Sequence, residues 1–134
     1  MIFNLATWNI NSIRLRVDLV CKLLKDEQID ILCLQECKSP VDKIPFEAFS
    51  KFGFKHMVAR GQKGYNGVAI ISKIKAENVK KGFCNFIDSD QNIEILDQKR
   101  LISADINGIK IINVYVPNGS SLESNKFEYK INWL

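Results

Sequence analysis

Apolar residues in this chain fall into short unbroken runs and one helical stripe. Residues 2–8 (IFNLATW) read as a first strand. From Ser12 to Gln28 the apolar positions Ile13, Val17, Val20, Cys21 and Leu24 recur at helical spacing, with Arg14, Arg16, Asp18, Lys22 and Lys25 elsewhere around the helix. Asn11 or Ser12 stands where a side chain can cap the first turn. Ile29–Gln35 (IDILCLQ) is a second strand-like run, and strand, helix and strand in that order imply a parallel pair with a right-handed crossover. A short helix is expected after Pro45, ending at Gly53. Further strands are expected at 54–60, 67–73, 100–106 and 109–116, with Asn107-Gly108 as a hairpin turn between the last two. Residues 123–134 begin another helix. The sum is a mixed α/β domain.

The runs ILCL, VAII and IINVYV do not alternate apolar with polar, so their strands expect cover on both faces. Two substantial helices and one short one are too few to provide it, and the expectation is an incomplete body with an exposed apolar patch. The segment from Glu123 also stops in mid-pattern at Trp133-Leu134, without a Gly or Pro stop signal. No internal repeat, low-complexity tract or Pro/Gly/Ser-rich linker interrupts the pattern.

Composition narrows the classes. A 134-residue chain that is 46% hydrophobic is the size of one domain and has enough apolar residues for a core. No apolar stretch reaches the ~18 residues of a membrane span. Met1-Ile2-Phe3-Asn4-Leu5 lacks the basic flank and cleavage site of a signal peptide, so a soluble cytoplasmic protein is expected. Net charge is +4, from 19 basic and 15 acidic residues spread along the chain, a bias compatible with a polyanion but equally with plain solubility. Cys21, Cys33, Cys37 and Cys84 form no zinc-binding spacing and read as reduced structural thiols.

Three polar residues stand at or near the C-terminal ends of apolar strands: Asn9 after LATW, Glu36 after ILCLQ, and Tyr115 within NVYVP. Such ends converge on one rim of an α/β sheet, where a carboxylate can hold a hard cation and an amide or phenol can meet a phosphoryl group. Each has a plainer alternative, a solvated Glu or a core Tyr with a wet hydroxyl. The loop Gly61-Gln62-Lys63-Gly64-Tyr65-Asn66-Gly67 lets backbone amides approach a phosphate, with Lys63 adding charge. It does not fit the P-loop, which excludes that mode of nucleoside triphosphate binding, and the residues alone favour a simple glycine-rich turn between strands.

Taken together, ATWNINSIR (6–14), DILCLQECK (30–38), GQKGYNGVAIISK (61–73) and NVYVPNGSS (113–121) resemble successive blocks of the exonuclease III branch of the endonuclease/exonuclease/phosphatase superfamily, the apurinic/apyrimidinic endonucleases. The superfamily's phosphoinositide phosphatases and sphingomyelinases share the TWN-like and QE-like blocks. GQKGYNGVAI and NVYVPNG point to the DNA-repair branch. The resemblance implies that residues 1–134 form a single N-terminal half, with the C-terminal half absent. Its implied fold is one half of a four-layer α/β sandwich, a mixed β-sheet with helices on one face.

The implied activity is hydrolysis of DNA phosphodiesters at abasic sites and 3′ ends, with Mg²⁺ (or Mn²⁺) as cofactor and no membrane partner. Carried over residue by residue, the resemblance makes Glu36 the metal carboxylate and has Asn9 orient the metal site. Tyr115 becomes the catalytic residue that contacts the scissile phosphate. Asn11, Arg14, Lys63, Tyr65, Asn66, Arg100 and Asn118 become DNA contacts, with Gly119 in the turn beside Tyr115. Gln98-Lys99, before Arg100, departs from the acidic-Gly pair common there. In the family the attacking water is handled by an Asn-x-Asp block and a Ser-Asp-His block from the second half, and neither block occurs in this sequence. The sole histidine, His56, reads as a solvent-facing strand residue. Three readings remain: a DNA-repair nuclease or piece of one with little activity alone, a non-catalytic remnant or DNA-binding fragment, and one chain of a two-chain enzyme whose partner carries the missing half.

Overall fold

The computed structural model describes residues 2–82 and 98–134. Cys84 lies outside the described residues. The chain forms strand β1 (Leu5–Asn9), helix α1 (Val17–Asp26), strand β2 (Ile31–Gln35), a 3₁₀ turn at Val41–Lys43, helix α2 (Phe46–Ser50), strands β3 (His56–Arg60), β4 (Val68–Ser72), β5 (Ala76–Lys81), β6 (Leu101–Ile106) and β7 (Ile109–Val114), and helix α3 (Asn125–Trp133). Among the described residues no helix is long and apolar enough to cross a membrane.

The strands form two sheets, where the fold implied by the resemblance named one mixed sheet. A mixed four-stranded sheet runs β1-β2-β4-β3, with β1 and β2 parallel as their connection required and β4 antiparallel to both its neighbours. An antiparallel three-stranded sheet runs β5-β6-β7. Period-2 alternation explains how one strand serves two cores. Leu32 and Leu34 of β2, with Ala69 and Ile71 of β4, pack against Val20, Leu24 and Phe49 from the helices. Their neighbours Ile31 and Cys33, with Val68 and Ile70, pack against Ile102, Ala104, Ile106 and Ile111 of the second sheet. Helices therefore cover one face of the mixed sheet, and β5–β7 cover the other.

This arrangement corrects the expectation of uncovered strands. ILCL and VAII are buried on both faces by this chain's own elements. IINVYV, in turn, alternates after all: Ile111 and Asn113 point inward, while Ile112 is 60% exposed on the outer face of the second sheet. Asn107 and Gly108 both take positive φ, as a tight hairpin between twisted strands demands.

Helix α1 begins later than its periodicity suggests. Asn11 and Ser12 have positive φ, and the Ser12 and Ile13 N–H groups donate to the carbonyls of Glu36 and Cys37. They are tied to the segment after β2, so Arg16 takes the N-cap position without a side-chain cap. Cys33 and Cys37 are buried free thiols, pushed by desolvation up to about 11 and about 12, which keeps them protonated.

One buried amide fastens the two sheets together. Asn113 of β7, 3% exposed, donates to the Leu34 carbonyl at 3.0 Å and the Ala69 carbonyl at 2.8 Å, and accepts from Gln35 Nε2 at 2.7 Å. Replacing it with an apolar isostere strands buried acceptors. We expect Asn113→Leu to lower unfolding stability in urea by about 2–3 kcal/mol, against less than about 0.5 kcal/mol for Ile112→Thr on the exposed face.

Candidate metal and phosphate site

The register of the mixed sheet places three chain segments at one end. Asn9 is opposite Gln35, which is opposite Val68, which is opposite Arg60. Asn9, Glu36 and the 61–67 loop therefore share that rim. His56 pairs with Ser72, and Ser72 with Ile31, so the histidine sits at the opposite end of the sheet, on the strand furthest from β1. The second sheet adds Tyr115, just after β7, and Arg100, just before β6, where Leu101 pairs with Val114.

These segments meet at Glu36. The Tyr115 hydroxyl donates to Glu36 Oε1, and the Asn9 side chain hydrogen-bonds the same carboxylate. Lys38 Nζ lies 3.6 Å from Oε2 and donates to Asn11 Oδ1 at 2.6 Å. Partial burial alone would raise the Glu36 carboxyl. The bonds from Tyr115 and Asn9 and the Lys38 charge outweigh it and hold the group below its ordinary value. Desolvation first, then the bond to Glu36, raises the Tyr115 phenol against the opposing Arg100 charge, so it remains an O–H donor at neutral pH.

Arg100 is folded beneath this contact. Its guanidinium stacks 4.6 Å from the Tyr115 ring centre and 5.6 Å from that of Tyr129, and its Nε donates to Gln98 Oε1 at 2.7 Å. It also lines a cleft of about 400 Å³ with Tyr115, Asn118, Asn125 and Lys126. Asn118 is exposed there, its Oδ1 accepting the Ser120 N–H at 2.9 Å. On the other side of Glu36, Arg14, Arg16, Lys38 and Gly64 line a shallow depression of about 570 Å³.

The glycine-rich loop divides into exposed and buried parts. Lys63 and Tyr65 are exposed, whereas Asn66 is 4% exposed and its amide donates to Gln62 Oε1 at 3.2 Å. The Asn66 side chain thus braces the loop from within. Its backbone carbonyl accepts the Lys38 N–H at 2.8 Å, and the Gly67 carbonyl accepts that of Cys37 at 3.1 Å. Gly61 is required by packing, because a Cβ there would lie 2.2 Å from the Ser39 carbonyl oxygen.

The sequence pattern passed over Lys38, Gln35 and Asn113. Lys38 meets Glu36 because both residues take left-handed backbone conformations, which residue spacing does not announce. Asn113, a polar residue inside an apolar run, was the available signal for a buried bond between elements. Glu36 supplies one carboxylate, and the amides of Asn9 and Asn11 belong to the same cluster, oxygen chemistry of the kind a hard, hydrated cation takes. Among the described residues no three His, Cys, Asp or Glu side chains converge on one point.

A model described as the Endonuclease/Exonuclease/phosphatase family matches residues 6–104. The chain is 32% identical over 119 residues to Exodeoxyribonuclease III of Haemophilus influenzae, covering 86% of this chain and 42% of that protein. It is 28% identical to an Exodeoxyribonuclease of Bacillus subtilis, over 96% of this chain and 48% of that one. An AP endonuclease structure from Archaeoglobus fulgidus superposes with TM-score 0.86 at 43% identity, covering 98% of this chain and 48% of that chain. A 3′ phosphatase structure from Neisseria, bound to product DNA hairpin, matches with TM-score 0.86 at 41% identity, over the same shares. The chain thus spans about half the length of these relatives.

The hydrogen bond from Tyr115 carries a pH prediction. A carboxyl held below its ordinary value adds stability that is full above that value, about 4.3, and lost as pH falls through the folded one. In Tyr115→Phe the burial remains and one opposing bond is gone. The Glu36 carboxyl titrates at higher pH, read by carbon NMR, and the acid-side stability increment shrinks. An unchanged titration means that the other partners alone hold the charge.

Proposed function

The chain belongs to the endonuclease/exonuclease/phosphatase family, in its exonuclease III and AP-endonuclease branch, and from that premise we propose that its site serves metal-dependent hydrolysis of DNA phosphodiesters at abasic sites and 3′ ends. The observation that carries this reading is the meeting of Asn9, Glu36 and Tyr115, from three strand ends of two sheets, on a rim flanked by Arg14, Lys63 and Arg100.

Glu36 would hold Mg²⁺ or Mn²⁺, with Asn9 fixing the carboxylate's orientation. Such an ion supplies Lewis-acid stabilisation of phosphoryl charge. Tyr115 would turn its O–H from Glu36 to a non-bridging oxygen, with stacking on Arg100 holding the ring for that contact. Arg14, Lys63, Tyr65, Asn118 and the backbone of the 61–67 loop take the neighbouring phosphates and sugars of double-stranded DNA, which position the duplex without reading its sequence. Asn11 lines the same depression as Arg14 and is a further DNA contact in this reading.

Water activation is the part these residues do not supply. A general base must reach the attacking water within about 3 Å, and His56 is at the far end of the sheet. That one-sidedness supports a polypeptide that works as one half of a nuclease, joined to a second half in the same chain or in a partner chain. It equally favours a fragment that binds DNA without cutting it.

Two measurements on the 134-residue polypeptide test this. It should bind an abasic duplex with steep salt dependence, and Arg14→Ala and Lys63→Ala should each weaken binding and reduce the salt slope by about 1. Salt-insensitive binding unchanged by both substitutions rules the reading out. Nicking in Mg²⁺, with chelator as control, should be negligible. Robust nicking lost in Glu36→Ala would show that the 134 residues suffice for catalysis.

A further inference from the structure

Lys38 is the side chain at this site for which the functional reading has no task, and its placement is tightly specified. Its ammonium approaches Glu36 Oε2 to 3.6 Å and is anchored on Asn11 Oδ1 at 2.6 Å. Both Glu36 and Lys38 take left-handed backbone conformations, at φ 52° and 51°. The segment between them is stitched on two sides: Ser12 N donates to the Glu36 carbonyl at 2.8 Å, and Lys38 N donates to the Asn66 carbonyl at 2.8 Å. A lysine on a mobile surface loop would drift away from its partner. This one cannot drift far, because its backbone is fixed and its tip is held.

The two carboxylate oxygens of Glu36 are thereby given different partners. Oε1 takes the Tyr115 hydroxyl, and Oε2 faces the Lys38 ammonium. Asn11 holds the ammonium through a neutral amide, so it fixes the position of the charge without cancelling it. Arg14 and Arg16 border the same depression and add positive potential, with the Arg16 guanidinium bonded to the Asn11 backbone carbonyl. Any divalent cation drawn to Oε2 meets a resident monovalent one.

We infer that Lys38 is an internal competitor for the cation position at Glu36, a positioning residue that sets how tightly the site takes a divalent ion. This rests on the reading of Glu36 as a cation ligand. Binding requires the ammonium to swing away from Oε2 while it keeps its hold on Asn11. Metal uptake is weak in isolation and is strengthened when a phosphate arrives beside the displaced ammonium, which then has an anion of its own to pair with.

The test is a titration with Mn²⁺ alone, followed by the paramagnetic resonance signal of the free ion, on the full 134-residue chain. Lys38→Met removes a unit charge a few ångströms from a divalent one and should tighten Mn²⁺ binding about tenfold at low ionic strength. Lys38→Gln should do the same, and Lys38→Arg, which keeps the charge, should stay close to the unsubstituted protein. Lys38 is about one-third exposed, and a thermal transition recorded for each variant confirms that it is folded. Unchanged or weaker Mn²⁺ binding in folded Lys38→Met and Lys38→Gln overturns the inference, provided binding is still lost in Glu36→Gln. Mn²⁺ binding that survives Glu36→Gln overturns the cation-site reading itself, so the two failures are told apart by one extra variant.

Discussion

The site depends on one contact between the two sheets, the buried amide of Asn113 bonded to Leu34 O, Ala69 O and Gln35 Nε2. Two residues beyond Asn113 in sequence is Tyr115, and one beyond Gln35 is Glu36. A sandwich held by apolar contact alone can slide, because dispersion and desolvation are non-directional. Directional bonds from a fully buried amide fix the register of β7 against β2 and β4. Since strand side chains alternate, that register decides whether Tyr115 faces the carboxylate or turns away. The cost of burying a polar side chain is offset at the fold level by its three partners, and its functional consequence is the Tyr115–Glu36 pair.

Much of the fold was legible because hydrophobic runs report burial directly. β1, β2, β4, β6 and the Asn107-Gly108 hairpin lie where the runs and the turn residues put them. β5 was not legible, because AENVKK is nearly all exposed and carries no apolar stripe to announce a strand. Its pairing comes from backbone bonds to β6, which leave no trace in side-chain periodicity. The division into two sheets was hidden for a related reason. ILCL records that both faces of β2 are covered, but an apolar run is the same whether a helix or another sheet does the covering.

Within the site, legibility followed chemistry and failed on mechanics. Asn9, Glu36 and Tyr115 stood out as polar residues at strand ends, and the structure brings all three together. Asn66 carried the same polar signal from a glycine-rich loop, yet it is buried and supports the loop from beneath. Composition cannot distinguish an amide that greets a ligand from one that holds the chain. The glycines misdirect similarly: Gly61 is demanded by the Ser39 carbonyl pressed against it, a steric fact that belongs to the 37–39 segment rather than to any bound phosphate.

Backbone strain gives an independent line of argument about where this molecule does its work. Non-glycine residues seldom adopt positive φ, and such conformations persist only where surrounding bonds over-determine them. Of the eight that do so among the described residues, five lie on one rim: Asn11, Ser12, Glu36, Lys38 and Asn66. Their bonds run from each to the next: Ser12 N to Glu36 O, then Lys38 N to Asn66 O, with Gly67 N carried on to Lys99 O at 2.9 Å. Four separate stretches of sequence are thus knitted crosswise at the strand ends. The same stretches also carry the core residues Ile10, Ile13 and Cys37, so the knitting joins the rim to the helix-side core. A rim held this rigidly fixes the backbone that carries the Glu36 carboxylate, its lysine and its phenol. A backbone over-determined in this way confines any rearrangement at the site to the tips of its side chains.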